Sequence, residues 1–429
     1  MQKRILFLFM VVWCMAPLTA QDSLHLSLEE AQNYALEKNR ALKNASLDVR
    51  ISEASRWQTI ATMLPQVSAA VDYSNLFDYS IDFGPVGKIS MPNSLTTNLT
   101  AAVAFSGAQV VGVQLKDIVT KMSNIQLRQT EKEVTDQIKT LYYSALVMEE
   151  TTSLLEKNQG NLEKLLEFTE QSVHVGVSEQ TDADLISVQV ASMKTTINST
   201  KRSIEMIYNA MRLHLGLDVN SEIELTQNID ELMDTGKSLS LVETDFVLGN
   251  NYNFQLLEEN LNLAHKQITL KKWDYAPSLS AFYQYNKIKN YGGGGFNSTP
   301  PNMMGFSIKV PIFSSGMRYR AVTEAKLSYE QNQNNYDESR ESLIIQHRQL
   351  TYNLSSASES FETQKKNMVV IQRVFDNVSR KYEQGMASSL DVTNSGTELI
   401  SAQSTYVQSL LDVVNAQIEL EMLLNIDNK

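Results

Sequence analysis

Two spacings of hydrophobic residues alternate along this chain. In the first, apolar positions recur every three or four residues. Val111, Leu115, Ile118, Met122 and Ile125 form one series, and Val134, Ile138, Leu141, Ala145 and Met148 a second. The spacing returns in Leu350, Leu354, Ala357 and Phe361, then in Ile371, Phe375, Val378 and Tyr382, and again in Val407, Leu411, Val414 and Ile418. A sustained 3.5-residue step predicts long helices packed side by side. Proline placement permits them, because Ser94 to Ala276 and Ile312 to Lys429 contain none, and an interior proline costs a helix about 3 kcal/mol. A helix from Ala108 to Gln171 would extend about 95 Å at 1.5 Å per residue.

The second spacing is two. Val67, Ala69, Val71, Tyr73 and Phe77 alternate with small or polar residues over 66–77, and Leu99, Ala101, Val103 and Phe105 do so over 96–105. Leu279, Ala281, Tyr283 and Tyr285 alternate over 278–286, with Phe282 breaking the polar face. Met304, Phe306, Ile308 and Val310 complete the set over 303–312. The pattern predicts four strands of about ten residues, each with one apolar and one small or polar face; a half-buried soluble sheet shows the same alternation, and the length and small polar face also match outer-membrane barrel strands. Tyr73, Tyr283, Tyr285 and Phe306 are candidates for a membrane-interface girdle. Asp78 to Leu95 and Lys287 to Asn302, rich in Gly, Pro, Asn and Ser, read as loops.

The chain is doubled. Asn39 and Asn251 stand 212 positions apart, as do Pro65 and Pro277; Gly107 and Gly316, Gly176 and Gly385, and Asp182 and Asp391 stand 209 apart. Residues 21–225 and 226–429 therefore read as tandem copies, each with short helices, strand, loop, strand, long helix, glycine turn and long helix. Four strands cannot close a barrel, and open strand edges in hydrocarbon leave backbone groups unpaired at several kcal/mol each. Other subunits must close it.

Composition narrows the setting. Lys3 and Arg4, an apolar run and Leu18-Thr19-Ala20 make residues 1–20 a secretory signal, cleaved before Gln21. Val12-Trp13-Cys14 is not a lipoprotein cleavage box, so no lipid anchor is expected. The single cysteine, Cys14, lies in that signal, which excludes a disulfide framework. No later stretch has 18 consecutive apolar residues, so any crossing of a membrane is by strands. A formal net charge of −12 argues against nucleic-acid binding. Five histidines without HExxH or i, i+4 pairing give no catalytic metal site, and Gly292 to Gly295 lacks the Lys-Ser/Thr of a phosphate loop. No nucleophile, base or cofactor motif converges; no enzyme activity and no cofactor are expected.

The ordered set of these features resembles the TolC-like outer-membrane efflux proteins, the outer membrane factors. The residues that carry the likeness are the tandem repeat, Leu64-Pro65-Gln66 and Ala276-Pro277-Ser278 entering the first strand of each half, Pro311 to Gly316 leaving the second hairpin, and Tyr382 before the Gly385–Asp391 turn. The resemblance implies an α+β membrane protein: a homotrimer with a twelve-stranded transmembrane β-barrel, four strands per protomer, continued by a long periplasmic α-helical barrel. It implies an exit duct for efflux or type I secretion, working with a periplasmic adaptor (membrane fusion) protein and an inner-membrane transporter of RND, ABC or MFS type. A soluble periplasmic coiled-coil adaptor or scaffold is the alternative from the residues alone, although it leaves the strands unexplained.

The glycine turns hold the candidate site. Glycine permits the positive φ of a helix C-cap, and Ser178, Thr181 or Ser389 is placed to cap the returning helix, with Asp182 and Asp391 favouring its N-terminus. That local reading requires no further function. Three-fold symmetry would add rings of acid at a periplasmic mouth, with Glu179, Asp184 and Glu383 nearby. By resemblance, Tyr382, Asp391 and Asp182 constrict a closed aperture. Ala387 stands where relatives carry a basic residue, and Asn394 where an acid is expected, which implies a weaker or differently built gate. Gly176, Val177, Ser178, Gly385, Met386 and Ala387 would be the adaptor docking surface.

Overall fold

The computed structural model describes residues 24–77, 79–82, 84–228, 240–291 and 299–425; the leader, Cys14 and Gly292 to Gly295 lie outside them. In chain order its principal elements are β1 (Leu24–Leu26), α1 (Leu28–Lys38), α2 (Arg40–Ala61), β2 (Gln66–Ser74), β3 (Ser80–Asp82), β4 (Lys88–Ser90), β5 (Asn93–Phe105), α3 (Gly107–His174) and α4 (Gln180–Leu215). There follow β6 (Ile223–Leu225), α5 (Tyr252–Trp273), β7 (Ser278–Tyr291), β8 (Asn302–Lys309), α6 (Met317–Glu383) and α7 (Ser389–Leu424). The helices come in matched lengths: 22 residues for α2 and α5, 68 and 67 for α3 and α6, 36 for α4 and α7.

Caps set several of these boundaries. Asn39 separates α1 from α2, and its Oδ1 accepts from the amides of Ala41 and Leu42 at 2.8 and 3.2 Å while its amide donates to the His214 carbonyl at 2.7 Å. Asn251 does the same for α5, accepting from Phe254 N–H at 3.1 Å. Ser27 and Glu30 form a capping box on α1.

Contacts divide the chain into two compact units, each drawing on both sequence halves. The helical unit contains, among described residues, 24–43, 129–228, 240–247 and 343–425. The predicted helical series are its core: Leu350, Leu354 and Phe361 pack with Val414 and Ile418 and with Tyr143 and Val147. A second cluster joins Leu155, Leu162, Leu165, Ile186, Phe375, Tyr382 and Val392. A third, built on Ala31, Ala35, Ile138, Tyr142 and Met211, sits beside a parallel pair, β1 with β6, in which Leu24 faces Ile223. Three-residue strands carry no periodicity that sequence can reveal. Lys139 and Glu421 form an ion pair that is buried on both sides.

The strand unit contains, among described residues, 44–77, 79–82, 84–128, 248–291 and 299–342. Its sheet has the order β2-β5-β7-β8 and is antiparallel throughout. Register aligns the four alternating patterns. Val67, Ala101, Tyr283 and Met304 form one row across the sheet, and Val103, Ala281 and Phe306 another. All four apolar sets thus share one face, and Val67, Val71, Tyr73, Tyr283, Met304, Phe306 and Ile308 on it are exposed. The exception, Phe282, has a structural reason. It pairs with Gly305, and a Cβ there would lie 2.6 Å from the Phe282 ring, so the missing side chain makes room for the aromatic one. Gly107 plays the same part against the indole of Trp273.

The strand boundaries differ from the sequence reading. β2 stops at Ser74 and β8 at Lys309, two residues before Pro311, which has no N–H for a ladder. β5 begins at Asn93, and β7 runs on to Tyr291 because Lys287 and Lys289, whose charge reads as loop, stay paired with Thr97 and Leu95 of β5. Asp78 to Leu95 is not simply a loop: β3 and β4 pair as a short hairpin, with Gly84 and Gly87 at φ of 63° and 102° in its turn.

Candidate functional site

Both long helices end in the same way. The Val177 amide bonds to the Ser172 carbonyl at 2.9 Å and the Gly176 amide to Val173 at 3.0 Å; Met386 to Lys381 at 2.7 Å and Gly385 to Tyr382 at 2.8 Å repeat the pair. This six-to-one plus five-to-two pattern needs a left-handed residue, and Gly176 and Gly385 supply it at φ of 76° and 72°. The returning helices are capped by Glu179 and Ser388, not by Ser178, Thr181 or Ser389 as the residue types suggested. The tight glycine turn places the cap three residues after the glycine in both cases, one residue beyond Ser178 and one before Ser389.

Asp182 and Asp391 therefore both stand at the third helical position. The Asp182 carboxylate accepts from the Glu179 amide at 3.2 Å, and that of Asp391 from the Ser388 amide at 2.9 Å and the Ser388 hydroxyl at 2.7 Å. The backbone bond, then the hydroxyl bond, hold the Asp391 carboxyl below its ordinary range. Ser389 donates its hydroxyl to Asp182, joining the first turn of α7 to that of α4. Nothing in the local sequence signals this contact between residues 207 positions apart.

The other candidate residues are placed differently. Asp184 is exposed and accepts from the Gln180 amide at 3.0 Å. Asn394 is exposed on α7. Tyr382 is buried within its own chain, edge-on to Phe168 at 6.5 Å, with its hydroxyl 3.1 Å from Thr169 Oγ1. Thr169 already gives its proton to the Leu165 carbonyl at 2.8 Å, so Tyr382 is the donor. Gln189 on α4 lies across Gly396 on α7 and donates to the Thr393 carbonyl at 3.2 Å, a close helix approach that only glycine permits.

At the turns themselves, Gly176 and Gly385 have open space on their Cβ side. Val175, Val177, Met386 and Leu390 are strongly exposed around them, while Ser178 and Ala387 are half-buried. Leu390 was missed in the sequence because its helical spacing places it beside buried Ser389 without showing which face turns outward. Among the described residues, no group of three His, Cys, Asp or Glu side chains is arranged to hold a metal ion.

An antiparallel sheet with a continuous exposed apolar face, joined in sequence to pairs of long helices that reverse at glycine, defines a channel-type membrane protein. The Outer membrane efflux protein family matches residues 32–217 and 245–425, and the chain belongs to that family. Outer membrane protein TolC of Escherichia coli K12 is 21% identical over 411 residues, covering 92% of this chain and 80% of TolC. The solvent efflux pump outer membrane protein SrpC of Pseudomonas putida is 22% identical over 400 residues, covering 90% and 82%. Among solved structures, CusC superposes with a TM-score of 0.74 at 17% identity over 96% of this chain and 95% of CusC. The open-state Neisseria gonorrhoeae MtrE outer membrane channel gives 0.74 at 18% identity over 92% and 88%. The protein is thus a TolC-like outer-membrane efflux channel with a large periplasmic part, in a family of channels and not of enzymes. The soluble-adaptor alternative falls with that assignment.

Proposed function

We propose that three copies of this chain close a twelve-stranded barrel in the outer membrane, continued by a periplasmic helical barrel, and that the trimer is the passive exit duct of a tripartite efflux or type I secretion system. The observation that carries this reading is the sheet: among the described residues β2 and β8 are edges with no strand beyond them, and one face is apolar and exposed. In hydrocarbon those edges are stable only when paired. Pairing β2 of one copy with β8 of the next satisfies them, and three copies give an even, closed barrel. The matched helix lengths support the tandem-copy reading of 21–225 and 226–429.

Substrate would arrive from a periplasmic adaptor and an inner-membrane transporter of RND, ABC or MFS type. The exposed Val175, Val177 and Met386 around Gly176 and Gly385 offer the adaptor an apolar surface at two helix reversals. Asp182, Asp184 and Asp391, three-fold repeated, would line the periplasmic aperture, with Asn394 a neutral member. Tyr382 enters this reading as a buried support for its turn, since its hydroxyl is spent within its own chain.

The test is the mass of the detergent-solubilised protein by native mass spectrometry, combined with cysteines placed on β2 and β8. Three copies and a cross-link between chains that traps trimers agree with the proposal. A monodisperse monomer, or cross-links confined to one chain, would refute it.

A further inference from the structure

The two lysines of β7 occupy an unexpected place. On the apolar face of the sheet, the rows nearest the helices contain Phe105, Leu279 and Ile308, and the next rows Val103, Ala281 and Phe306. Towards the other end, Lys287 is paired with Thr97 and Lys289 with Leu95, while Val71 and Tyr73 follow on β2. Odd-numbered positions of β7 project to this face, so Lys287 and Lys289 share it with Tyr283, Tyr285 and Tyr291. Both lysines are exposed.

Three observations set them apart from ordinary surface lysines. First, the strands of this face carry no acidic residue among those described; Asp72, the one acid of the sheet, lies on the opposite face in register with Thr96. Second, Lys88 and Lys121 do sit against carboxylates, Asp82 at 3.6 Å and Glu259 at 2.5 Å. Lys287 and Lys289 have no acidic partner among the described residues. Third, aromatic rings frame them: Tyr73 and Tyr291 meet edge-on at 6.5 Å, and the Lys289 ammonium lies 5.2 Å from the Tyr291 ring centroid.

Their height fits a membrane boundary. At about 3.4 Å per residue and a strand tilt of about 40°, Lys287 and Lys289 stand roughly 21 and 26 Å beyond the Leu279 row. The apolar band of an outer-membrane barrel is about 25 Å tall and ends in aromatic girdles. β7 is an inner strand of the sheet, so neighbouring protomers at β2 and β8 do not cover it. Two ammonium groups at a boundary between hydrocarbon and headgroups, with no acid beside them among the described residues, attract anions from the lipid.

We propose that Lys287 and Lys289, framed by Tyr73, Tyr285 and Tyr291, bind the phosphate groups of a phosphorylated glycolipid in the outer leaflet. The inference rests on the barrel reading above, because that reading turns this face towards lipid and its loop end outward. The tyrosines supply apolar area for the acyl and sugar boundary, and the lysines supply point charges for phosphate. A tightly held anionic lipid at each copy would anchor an acidic protein in a leaflet of its own charge sign.

The experiment uses the full-length trimer in mild detergent, titrated with fluorescent bis-phosphorylated lipid A and with its dephosphorylated counterpart. Wild type should prefer the phosphorylated lipid at least tenfold. The K287Q/K289Q variant should lose that preference while keeping wild-type conductance in planar bilayers, and K287R/K289R should restore it. Equal binding of both lipids by wild type, or an unchanged preference in K287Q/K289Q, would overturn the proposal. Phosphate preference without conductance in any variant would keep the site and remove the duct reading alone.

Discussion

Replacing Lys139 by Met tests how the helical unit is held together. The Lys139 ammonium and the Glu421 carboxylate are both almost fully buried, on α3 and α7. Glu421 also accepts from the Gln417 amide at 2.9 Å, and Tyr143 nearby has its hydroxyl pushed up to about 12, first by burial and then by the Glu421 charge. Removing the lysine leaves a buried carboxylate with one neutral donor, a loss that costs about 3–5 kcal/mol in comparable sites. Melting of a unit this size moves roughly 2–4 °C per kcal/mol, so K139M should lower the helical melting midpoint by about 6–20 °C. The double variant K139M/E421L removes both charges and should recover most of that loss, because the pair's attraction is largely offset by its desolvation. Circular dichroism of the detergent-solubilised protein, run as a double-mutant cycle, gives the coupling directly. Equal midpoints for wild type and K139M, or a double variant whose loss is the sum of the two single losses, would refute the reasoning.

Four further outcomes are expected. Gly385→Ala and Gly176→Ala should each destabilise by about 1–2 kcal/mol through positive φ alone, since open space surrounds both Cβ positions, and Asn should be tolerated better at each; thermal melts of the four variants check this. Gly396→Ala should drive the Gln189 amide from its place and lower the melting midpoint, and Q189A/G396A should recover part of it. Asp182→Ala and Ser389→Ala break one shared contact, so single-channel recording should show similar and non-additive rises in open probability. The Asp391 carboxyl is held below its ordinary value in the folded chain. Its contribution to stability is therefore present above the unfolded Asp pKa and lost as pH falls through the lower folded value; the acid limb of the melting curve should be shallower in Asp391→Asn.

The legible parts of this fold were those with long periodicity. Leu350, Leu354 and Phe361 do meet Val414 and Ile418, because a seam kept over many turns has one way to be buried. The alternating strands were equally plain, since register must bring all four apolar sets to one face. Short elements were not: β1, β3, β4 and β6 have three residues each, and pairing between Leu24 and Ile223 depends on distant chain. At the turns, glycine spacing revealed the reversals, but not which residue would cap. The local rule offered Ser178 and Ser389; backbone geometry selected Glu179 and Ser388. The Ser389–Asp182 contact and the burial of Tyr382 against Phe168 and Thr169 arise from helix packing, which no single stretch of sequence encodes.

In the proposed assembly, copies of this chain surround one water-filled passage through the outer membrane. Single-channel recording of the purified protein in planar lipid bilayers tests it most directly. Discrete unitary conductance steps are expected, and proline substitutions in β2 and β8 that block edge pairing between copies should abolish them. Absence of any conductance from a correctly folded, detergent-solubilised protein, with Asp182→Ala and Asp391→Ala equally silent, would contradict it.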